Sequence, residues 1–302
     1  MAGFGVCAFL GLLMGGGLAY WDEGHMLVAT IAEIELKKRN PKILARVTKV
    51  LSPLTPFLPE RSTSIIETSL FADLIKRDAL GMLGELHFIN IPLKLSHQHV
   101  APPTSTQENI STFLNQAQKI LSKQKTPNTF TRDGLVVPIV LRYLIHMIGD
   151  IHQPLHTVSL YSRGLSGKGT VRSDRGGVRL LIKGPKYRRI KNLHALWDTA
   201  GGYWTRRFKL PLRPQAVSAL YKKAQSIHRK HASPQLLKKS KNLFVKSWVS
   251  ENITIASRFA YSLLPKLKYA NFRYRTRVKE ISERRVLLAG LRLAKVLEVL
   301  YK

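Results

Sequence analysis

The sequence predicts an all-α protein, formed by a single, mainly helical domain with a small β-hairpin or long loop around residues 161–190. Apolar side chains recur at helical spacing along most of the chain, which is the primary signal for amphipathic helices. The region around 161–190 is instead rich in glycine and basic residues, with short β-like pieces at Val178 to Ile182. No internal repeat or domain boundary is evident, and 302 residues with 44% hydrophobic content suffice for one large core.

Helix boundaries follow from the apolar pattern and from the proline and glycine residues that interrupt it. In the first helix Met26, Ile31 and Ile34 belong to one apolar stripe, and Asn40-Pro41 ends the helix. The segment from Glu85 to Pro92 is predicted to be extended. Further helices are expected at Pro41 to Leu51, Ser64 to Leu80, Gln107 to Lys123, Leu135 to Ile151, Gln215 to His231, Gln235 to Leu264 and Val278 to Tyr301.

The first nineteen residues have the pattern of a signal peptide. Residues Met1 to Ala19 carry no charged side chain, and their apolar stretch is followed by small residues at the usual cleavage positions. We therefore expect a signal peptide at 1–19, a mature domain at 20–302, and secretion or a lysosome-like compartment. A short membrane anchor is the alternative, although the segment is brief and rich in glycine.

Cysteine usage and glycosylation sequons bear on the same compartment. The single cysteine, Cys7, lies within the signal segment, so the mature chain has no cysteine with which to form a disulfide. Two sequons, at Asn109 and Asn252, are candidate glycan acceptors in a secretory pathway. Bound metal and a large core would then supply the stability that disulfides supply in many secreted proteins.

The chain is strongly basic. Forty-nine Lys and Arg face eighteen Asp and Glu, which gives a formal net charge of +31. Such a charge attracts polyanions, so nucleic acid or an anionic membrane are the natural partners, and general solubility is the alternative explanation. The last helix is amphipathic and basic; we expect it to face the core, with binding to a membrane surface as the alternative.

The clearest chemical signal is a run of histidine and aspartate around a helix end. His146 and Asp150 are four residues apart, so both lie on one helix face with Cβ atoms about 5–6 Å apart. That spacing suits a shared ion, since zinc takes nitrogen and oxygen ligands at about 2.0–2.2 Å. Pro154 ends the helix and frees His156 to approach from another direction.

A second pair with the same spacing, His194 and Asp198, strengthens the metal hypothesis. One such pair is usually a solvated helix face, but two pairs with an additional histidine at a helix break rarely coincide. Imidazole and carboxylate together suit zinc, and thiolate sites are excluded in a mature chain without cysteine. The spacing leaves the number of ions open.

Six strings along the chain form a recognisable series: WDEGHMLVA at 21–29, FADLIK at 71–76, LHFINIP at 86–92, DIHQPLH at 150–156, DRGG at 174–177 and NLHALWD at 192–198. In content and order they resemble the motifs of the S1/P1 nuclease family. The resemblance spans nearly all of the mature chain.

This resemblance implies a helical fold shared with bacterial zinc phospholipase C and a centre of three zinc ions. Asp150 would bridge two of the ions. The N-terminal ligand would be Tyr20, because the family's N-terminal residue sits five positions before the first histidine; Trp is usual there, and cleavage before Trp21 is the alternative. The implied ligands are Asp73, His87, His146 and Asp150 for the first ion, His156, His194 and Asp198 for the second, and His25, Asp150 and the α-amine and carbonyl of Tyr20 for the third.

The resemblance also implies an endonuclease that hydrolyses single-stranded DNA and RNA to 5′-phosphate products, with mononucleotides as further substrates of a 3′-nucleotidase activity. Asp73, Asp150 and Lys76 would be its catalytic residues, with Lys76 stabilising phosphate oxygens. Phe88 would stack a base and Asn90 would contact it. Asn90 replaces an Asp of some members, and Val178 replaces the usual Asn, so base preference is open. We expect a monomer without stable membrane insertion.

Two other functions compete with this one. A zinc phospholipase C-like phosphodiesterase would have similar ligands, and a non-catalytic, basic nucleic-acid-binding protein would have structural zinc. The ligand sets leave coordination positions open, whereas structural zinc is usually closed by four protein ligands, which favours an enzyme. Of the other histidines, His152 is expected to support the site, and four are expected to face solvent: His97, His99, His228 and His231.

Overall fold

The computed structural model describes residues 21–58, 61–78, 83–93, 108–123, 133–162, 172–182, 190–262 and 270–302. It confirms the mainly helical single domain. The α-helices of these ranges are α1 (Asp22–Arg39), α2 (Pro41–Leu51), α3 (Ile65–Thr68), α4 (Phe71–Asp78), α5 (Ile110–Lys123), α6 (Asp133–Asp150), α7 (Leu193–Asp198), α8 (Pro214–His231), α9 (Pro234–Ser240), α10 (Val245–Ile255) and α11 (Phe272–Tyr301).

Short 3-10 and π-helical turns and four two-residue strands complete the described structure. The strands are β1 (Ile91–Pro92), β2 (Val158–Ser159), β3 (Tyr161–Ser162) and β4 (Arg172–Ser173), in which β1 pairs parallel with β2 and β3 pairs antiparallel with β4. The 3-10 turns are Ser52–Phe57, Gly84–His87 and Pro154–His156, and the π-helical turn is Ala256–Tyr261.

Helix α1 lies inside the molecule, and its residues from Glu23 to Glu33 are buried. Its closest neighbour is α11, because Gly290 lets the two backbones meet. A Cβ atom at Gly290 would lie 2.6 Å from the Cβ of Ile31, closer than real contacts allow. As predicted, Asn40-Pro41 ends α1: Arg39 is its last residue and Asn40 caps it. Pro41 is the first residue of α2, where a backbone N–H would have no partner within the helix.

A smaller apolar cluster supports the segments that carry the second histidine–aspartate pair. Leu155, Leu193, Trp197 and Tyr274 are buried in it. The Trp197 indole nitrogen donates a hydrogen bond to the Tyr274 hydroxyl at 3.1 Å, so this large aromatic residue is satisfied and fixed inside the protein.

Two predicted helices were wrong in their extent. The helix expected from Ser64 to Leu80 is interrupted after Thr68 and becomes α3 and α4, with residues 79 and 80 outside the described ranges. The helix expected from Gln235 to Leu264 consists of α9, α10 and the π-helical turn, and its residues 263 and 264 lie outside the described ranges. The helix is interrupted before Val245. There the Trp248 indole nitrogen donates a hydrogen bond to the Asn242 carbonyl at 2.9 Å, a side-chain contact that the apolar periodicity does not reveal.

The predictions for the loop around 161–190 and for the extended segment from Glu85 to Pro92 were also only partly correct. Residues Val178 to Ile182 form turns, with a single bridge between Leu181 and Asn192, instead of a hairpin strand. The extended segment near Glu85 begins with the 3-10 turn that ends at His87.

The two sequons differ in accessibility. Asn109 is half-buried ahead of α5, where its side-chain oxygen accepts from the backbone N–H groups of Ser111 and Thr112. Asn252 is fully buried, and its amide nitrogen donates to the Ile151 carbonyl at 2.5 Å. A glycan on that nitrogen does not fit this fold, which removes Asn252 as an acceptor in the folded protein.

None of the described helices is both long enough and apolar enough to cross a bilayer. The predicted signal peptide, residues 1–19, lies outside the described residues.

Candidate metal centre

Asp150, the last residue of α6, contacts three imidazoles inside the protein. One carboxylate oxygen lies 3.1 Å from Nε2 of His25, and the other lies 2.8 Å from Nδ1 of His87 and 3.2 Å from Nε2 of His146. All four side chains are buried. The predicted pair of His146 and Asp150 therefore shares one face of the helix and gains two histidines from distant elements.

Asp73 on α4 adds a second carboxylate to this group. Its Oδ1 lies 3.8 Å from His87 Nδ1 and 3.8 Å from His146 Nε2. His25, Asp73 and His146 form one set whose ligand atoms all lie within 4.8 Å of one another, and His87, His146 and Asp150 form another. Because His146 belongs to both sets, the structure does not assign these five residues to separate ions.

The second pair forms its own group with His156. Nε2 of His156 lies 3.8 Å from one oxygen of Asp198, and Nε2 of His194 lies 3.5 Å from the other. The ligand atoms of these three buried residues also lie within 4.8 Å of one another. The fold thus brings the eight predicted side-chain ligands into two adjoining clusters: His25, Asp73, His87, His146 and Asp150 in one, and His156, His194 and Asp198 in the other.

Backbone carbonyls orient three of the imidazoles. A carbonyl oxygen only accepts hydrogen bonds, so Nδ1 carries a proton in each ring, and in the neutral form of the ring Nε2 offers its lone pair. Such a partner is typical of histidines that bind metal. The three bonds join His146 to Ser69 at 2.6 Å, His156 to His87 at 2.7 Å and His194 to Gly176 at 2.8 Å.

The atoms left over by these bonds fit a cation. Nε2 of His146, His156 and His194 has no hydrogen-bond partner within the described part of the chain, although each atom is buried. Buried polar atoms are normally satisfied, because leaving one unpaired costs about 1–3 kcal/mol. A metal ion placed among these lone pairs and the neighbouring carboxylates would satisfy them together.

Burial and charge act in opposite directions on these groups. Burial lowers the pKa of His146, but Asp150 and Asp73 more than offset it and raise the pKa to about 9. At His87 burial prevails over the contact with Asp150, and the pKa falls to about 4. Burial raises the pKa of Asp150, yet His146, His156 and His25 hold it well below its usual range. A proton on His146 therefore balances the carboxylates, and a bound cation would displace it.

Two glycines, which the sequence reasoning did not single out, make room for the cluster. A Cβ at Gly149 would lie 2.7 Å from Nδ1 of His25, and a Cβ at Gly176 would lie 2.3 Å from the Leu155 carbonyl oxygen. Gly176 also has a positive φ of 61°. A glycine inside an apolar helix, directly before a candidate ligand, was the available signal for Gly149.

Gln153 also emerges only from the structure. Its amide nitrogen donates to Oδ1 of Asp198 at 2.6 Å, and its amide oxygen accepts from the Leu155 N–H at 2.5 Å. The side chain thus links the turn after α6 to α7 and fixes the carboxylate of the second group. Gln153 belongs to the string DIHQPLH at 150–156, but the spacing of its histidines and aspartate predicts no role for the glutamine between them.

The predicted substrate residues lie around these groups. Burial is the largest cause that lowers the pKa of His194, and the positive charges of His156 and then of Lys76 lower it further. Phe88 is half-buried directly after His87. Asn90 is exposed, and its side-chain oxygen accepts from the Ser159 hydroxyl at 2.6 Å.

The predicted N-terminal ligand, Tyr20, lies outside the described residues. The description begins with Trp21, which is buried. Its backbone N–H contacts the Asp198 carbonyl at 3.4 Å, and the Arg207 guanidinium covers its ring at 4.5 Å. Trp21 is therefore packed against the segment that carries Asp198 and against Arg207.

The other histidines divide into three cases. His152 is buried outside both clusters, where its Nδ1 donates to the Ile148 carbonyl at 2.7 Å, consistent with a supporting residue. His228 is partly exposed, and His97 and His99 lie outside the described residues. The prediction for His231 was wrong: it is buried, and its Nε2 lies 2.7 Å from the Glu283 carboxylate, a partner supplied by α11.

Comparison with known proteins places the chain in a recognised family. A family model described as S1/P1 Nuclease matches residues 20–302. Endonuclease 4 of Arabidopsis thaliana is 25% identical over 304 residues, which cover 96% of this chain and 91% of that protein. Endonuclease 5 of the same plant is 24% identical over 315 residues, covering 96% and 93%. Endonuclease 2 is 26% identical over 183 residues, covering 59% and 54%.

Gly149→Ala tests whether close approach of α1 to α6 builds the metal centre. The new methyl group would push the His25 ring away from Asp150, so we expect metal affinity to fall about 10–100-fold, the range seen when ligands lose their orientation. Gly84→Ala is the matched control, since its Cβ would have Lys76 Cε as its nearest neighbour, at 3.7 Å. Metal content of both proteins is measured by elemental analysis after dialysis against graded chelator. Equal metal retention in the two variants would contradict this role of Gly149.

Proposed function

The chain belongs to the S1/P1 nuclease family and is a hydrolase of phosphodiester bonds, and we propose that it is a secreted, zinc-dependent endonuclease of single-stranded DNA and RNA. Its products would carry 5′-phosphates, and mononucleotides with a 3′-phosphate would be further substrates. One observation supports the proposal most strongly: buried imidazole nitrogens without hydrogen bonds converge on three buried or nearly buried carboxylates.

The donor set favours zinc and gives each residue a role. Neutral imidazoles and carboxylates, with no cysteine in the region, match the ligands of catalytic zinc sites. Asp73, His87, His146 and Asp150 would hold one ion, and His156, His194 and Asp198 a second. His25 and Asp150, with the N-terminal residue, would hold a third. The position of Asp150 among three imidazoles supports its role as the shared ligand.

The chemistry of the proposed reaction divides between the metals and the side chains. Zinc bound in these groups would supply Lewis-acid activation of water and neutralise charge on the phosphate. Asp73 and Asp150 would hold that assembly in place, each fixed by imidazoles on more than one element. Lys76, whose ammonium acts electrostatically on His194, would stabilise the phosphate oxygens as charge develops on them.

A preference for single strands has a physical basis in the burial of the centre. The ligands are largely inaccessible, so a base must leave its stack before its phosphate reaches them. Phe88, half-buried beside His87, is suited to stack such a base, a contact worth about 1–3 kcal/mol. Because Ser159 occupies the side-chain oxygen of Asn90, this residue would offer its N–H groups to the base. The net charge of +31 favours capture of a polyanion.

A substrate panel tests the proposed activity. We expect hydrolysis of single-stranded DNA and RNA, loss of activity with chelator and recovery with zinc. Asp150→Asn should lower the rate more than about a hundredfold, since it removes the charge shared by three imidazoles. Asp22→Asn is the control, because Asp22 pairs with Arg207, 43% of whose side chain is exposed. Hydrolysis of phosphatidylcholine in place of nucleic acid would favour the phospholipase C-like alternative, and no hydrolysis at all would favour a binding protein.

Secretion and catalysis would be coupled through the first residue of the mature chain. We expect mass spectrometry of the mature enzyme to find Tyr20 at the N-terminus, with its amine available to a metal. One extra Met, or Gly-Ser, before Tyr20 displaces the amine and the carbonyl together, so we expect about one metal ion fewer per chain and a large loss of rate. An extended protein with full metal content and full rate would show that the N-terminal residue is not a ligand.

A further inference from the structure

A cavity of about 840 Å³ lies away from the metal ligands, between the end of α8, α9, α10 and the middle of α11. It shares no residue with the histidine and aspartate clusters. Its lining includes four cations, Lys230, Lys239, Arg284 and Arg285, and one carboxylate, Glu251. Lys230 is paired with Glu283 at 3.0 Å, so the charge available to a ligand comes from the other three. Nothing in the reaction proposed above requires these residues.

The buried arginines beneath the cavity neutralise that carboxylate. Arg285 Nη1 contacts one oxygen of Glu251 at 2.7 Å, and Arg292 Nη2 contacts the other at 2.7 Å. The carboxylate therefore faces two guanidinium groups, and its pKa lies below the usual range despite burial. The cavity consequently keeps an excess of positive charge.

Arg285 has donor capacity that the described structure does not use. It is only 4% exposed, and its Nη2 has no hydrogen-bond partner within the described residues. Its Nε donates to the His152 carbonyl at 3.1 Å, on the turn that follows Asp150. The floor of the cavity is thus attached to the same turn that carries the metal ligands.

The remaining lining suits an oxyanion with several acceptor atoms. Ser247, Ser250 and Thr254 bring hydroxyl groups, and Lys239 and Arg284 are exposed at the surface where a ligand would enter. Phosphate is the anion that best matches arginine and lysine together, since it accepts several charge-assisted hydrogen bonds at once.

We propose that this cavity binds a phosphate group of a nucleic-acid strand whose scissile bond lies in the metal centre. The identity of the strand rests on the proposed nuclease function, whereas the phosphate chemistry rests on the cavity itself. Because the cavity and the metal ligands share no residue, a dinucleotide bound at the metal centre would leave the cavity empty, so this second site would add affinity only for longer strands.

A charge-matched pair of double variants tests the proposal. Lys239→Gln with Arg284→Gln removes two lining cations, and Lys238→Gln with Arg273→Gln removes two exposed cations outside the cavity, on the same helices. Affinity for a labelled, hydrolysis-resistant phosphorothioate 20-mer is measured by fluorescence anisotropy on the metal-loaded protein. We expect the cavity pair to bind about tenfold more weakly at low salt, and its slope of log affinity against log salt to shrink by about 1.4 for two lost contacts.

The affinity of the control pair for the 20-mer should stay within about twofold of wild type, and both pairs should hydrolyse a dinucleotide at the wild-type rate. Equal losses of affinity in the two pairs would overturn the proposal, because the binding would then depend only on diffuse charge.

A phosphorus NMR titration with inorganic phosphate separates a free phosphate ligand from a phosphate of the strand. Phosphate binding that needs Lys239 and Arg284, without any effect on the 20-mer, would also overturn the strand proposal. Failure of the nuclease function is a separate result, visible as no dinucleotide hydrolysis by the wild type.

Discussion

A single buried carboxylate, Asp150, organises the most demanding part of the structure. It sits fully inside the protein and contacts imidazoles from α1, from the turn before β1 and from its own helix. An unpaired charge in such a place costs several kcal/mol, so the carboxylate is stable only where cations surround it. The fold must therefore bring three elements to one point, and a protonated His146 or a bound metal must complete the charge balance.

Helix α1 shows how the fold meets this requirement. Gly149 on α6 faces the His25 ring, and Gly290 on α11 faces Ile31, so α1 is held between two helices at positions where no side chain fits. The close approach on one side delivers a ligand, and the close approach on the other anchors the helix in the main core. Packing and ligand geometry are in this way parts of one arrangement.

Much of the centre could be predicted from the sequence, and the limits have physical causes. Spacing of four residues sufficed for His146 with Asp150 and for His194 with Asp198, because a helix makes neighbours of such residues. Asp73, His87 and His25 share no local spacing with those pairs, so only the family resemblance pointed to them. Gly149, Gln153 and the buried state of His231 depend on which elements meet in space, and local pattern does not encode those contacts.

The extents of two helices were predicted wrongly because side-chain contacts, which the apolar pattern does not encode, interrupt them. The apolar period continues through Gln235 to Leu264, but a bond from Trp248 to the Asn242 carbonyl fixes a break that period alone cannot show. The break separates α9 from α10, and the cavity lined by Lys239, Glu251 and Arg285 lies between these helices and α11. The cations that line this cavity come from distant parts of the chain, such as Lys239 and Arg285. The sequence therefore reveals the total charge of +31 but not that these residues meet in one cavity.

We propose that the histidine and aspartate clusters form one centre of several zinc ions joined through Asp150. Anomalous diffraction from a crystal of the mature protein, recorded on both sides of the zinc absorption edge, tests this arrangement. We expect three zinc peaks: two that share Asp150 as a ligand and one among His156, His194 and Asp198. A single peak, no peak, or zinc bound away from Asp150 would contradict it.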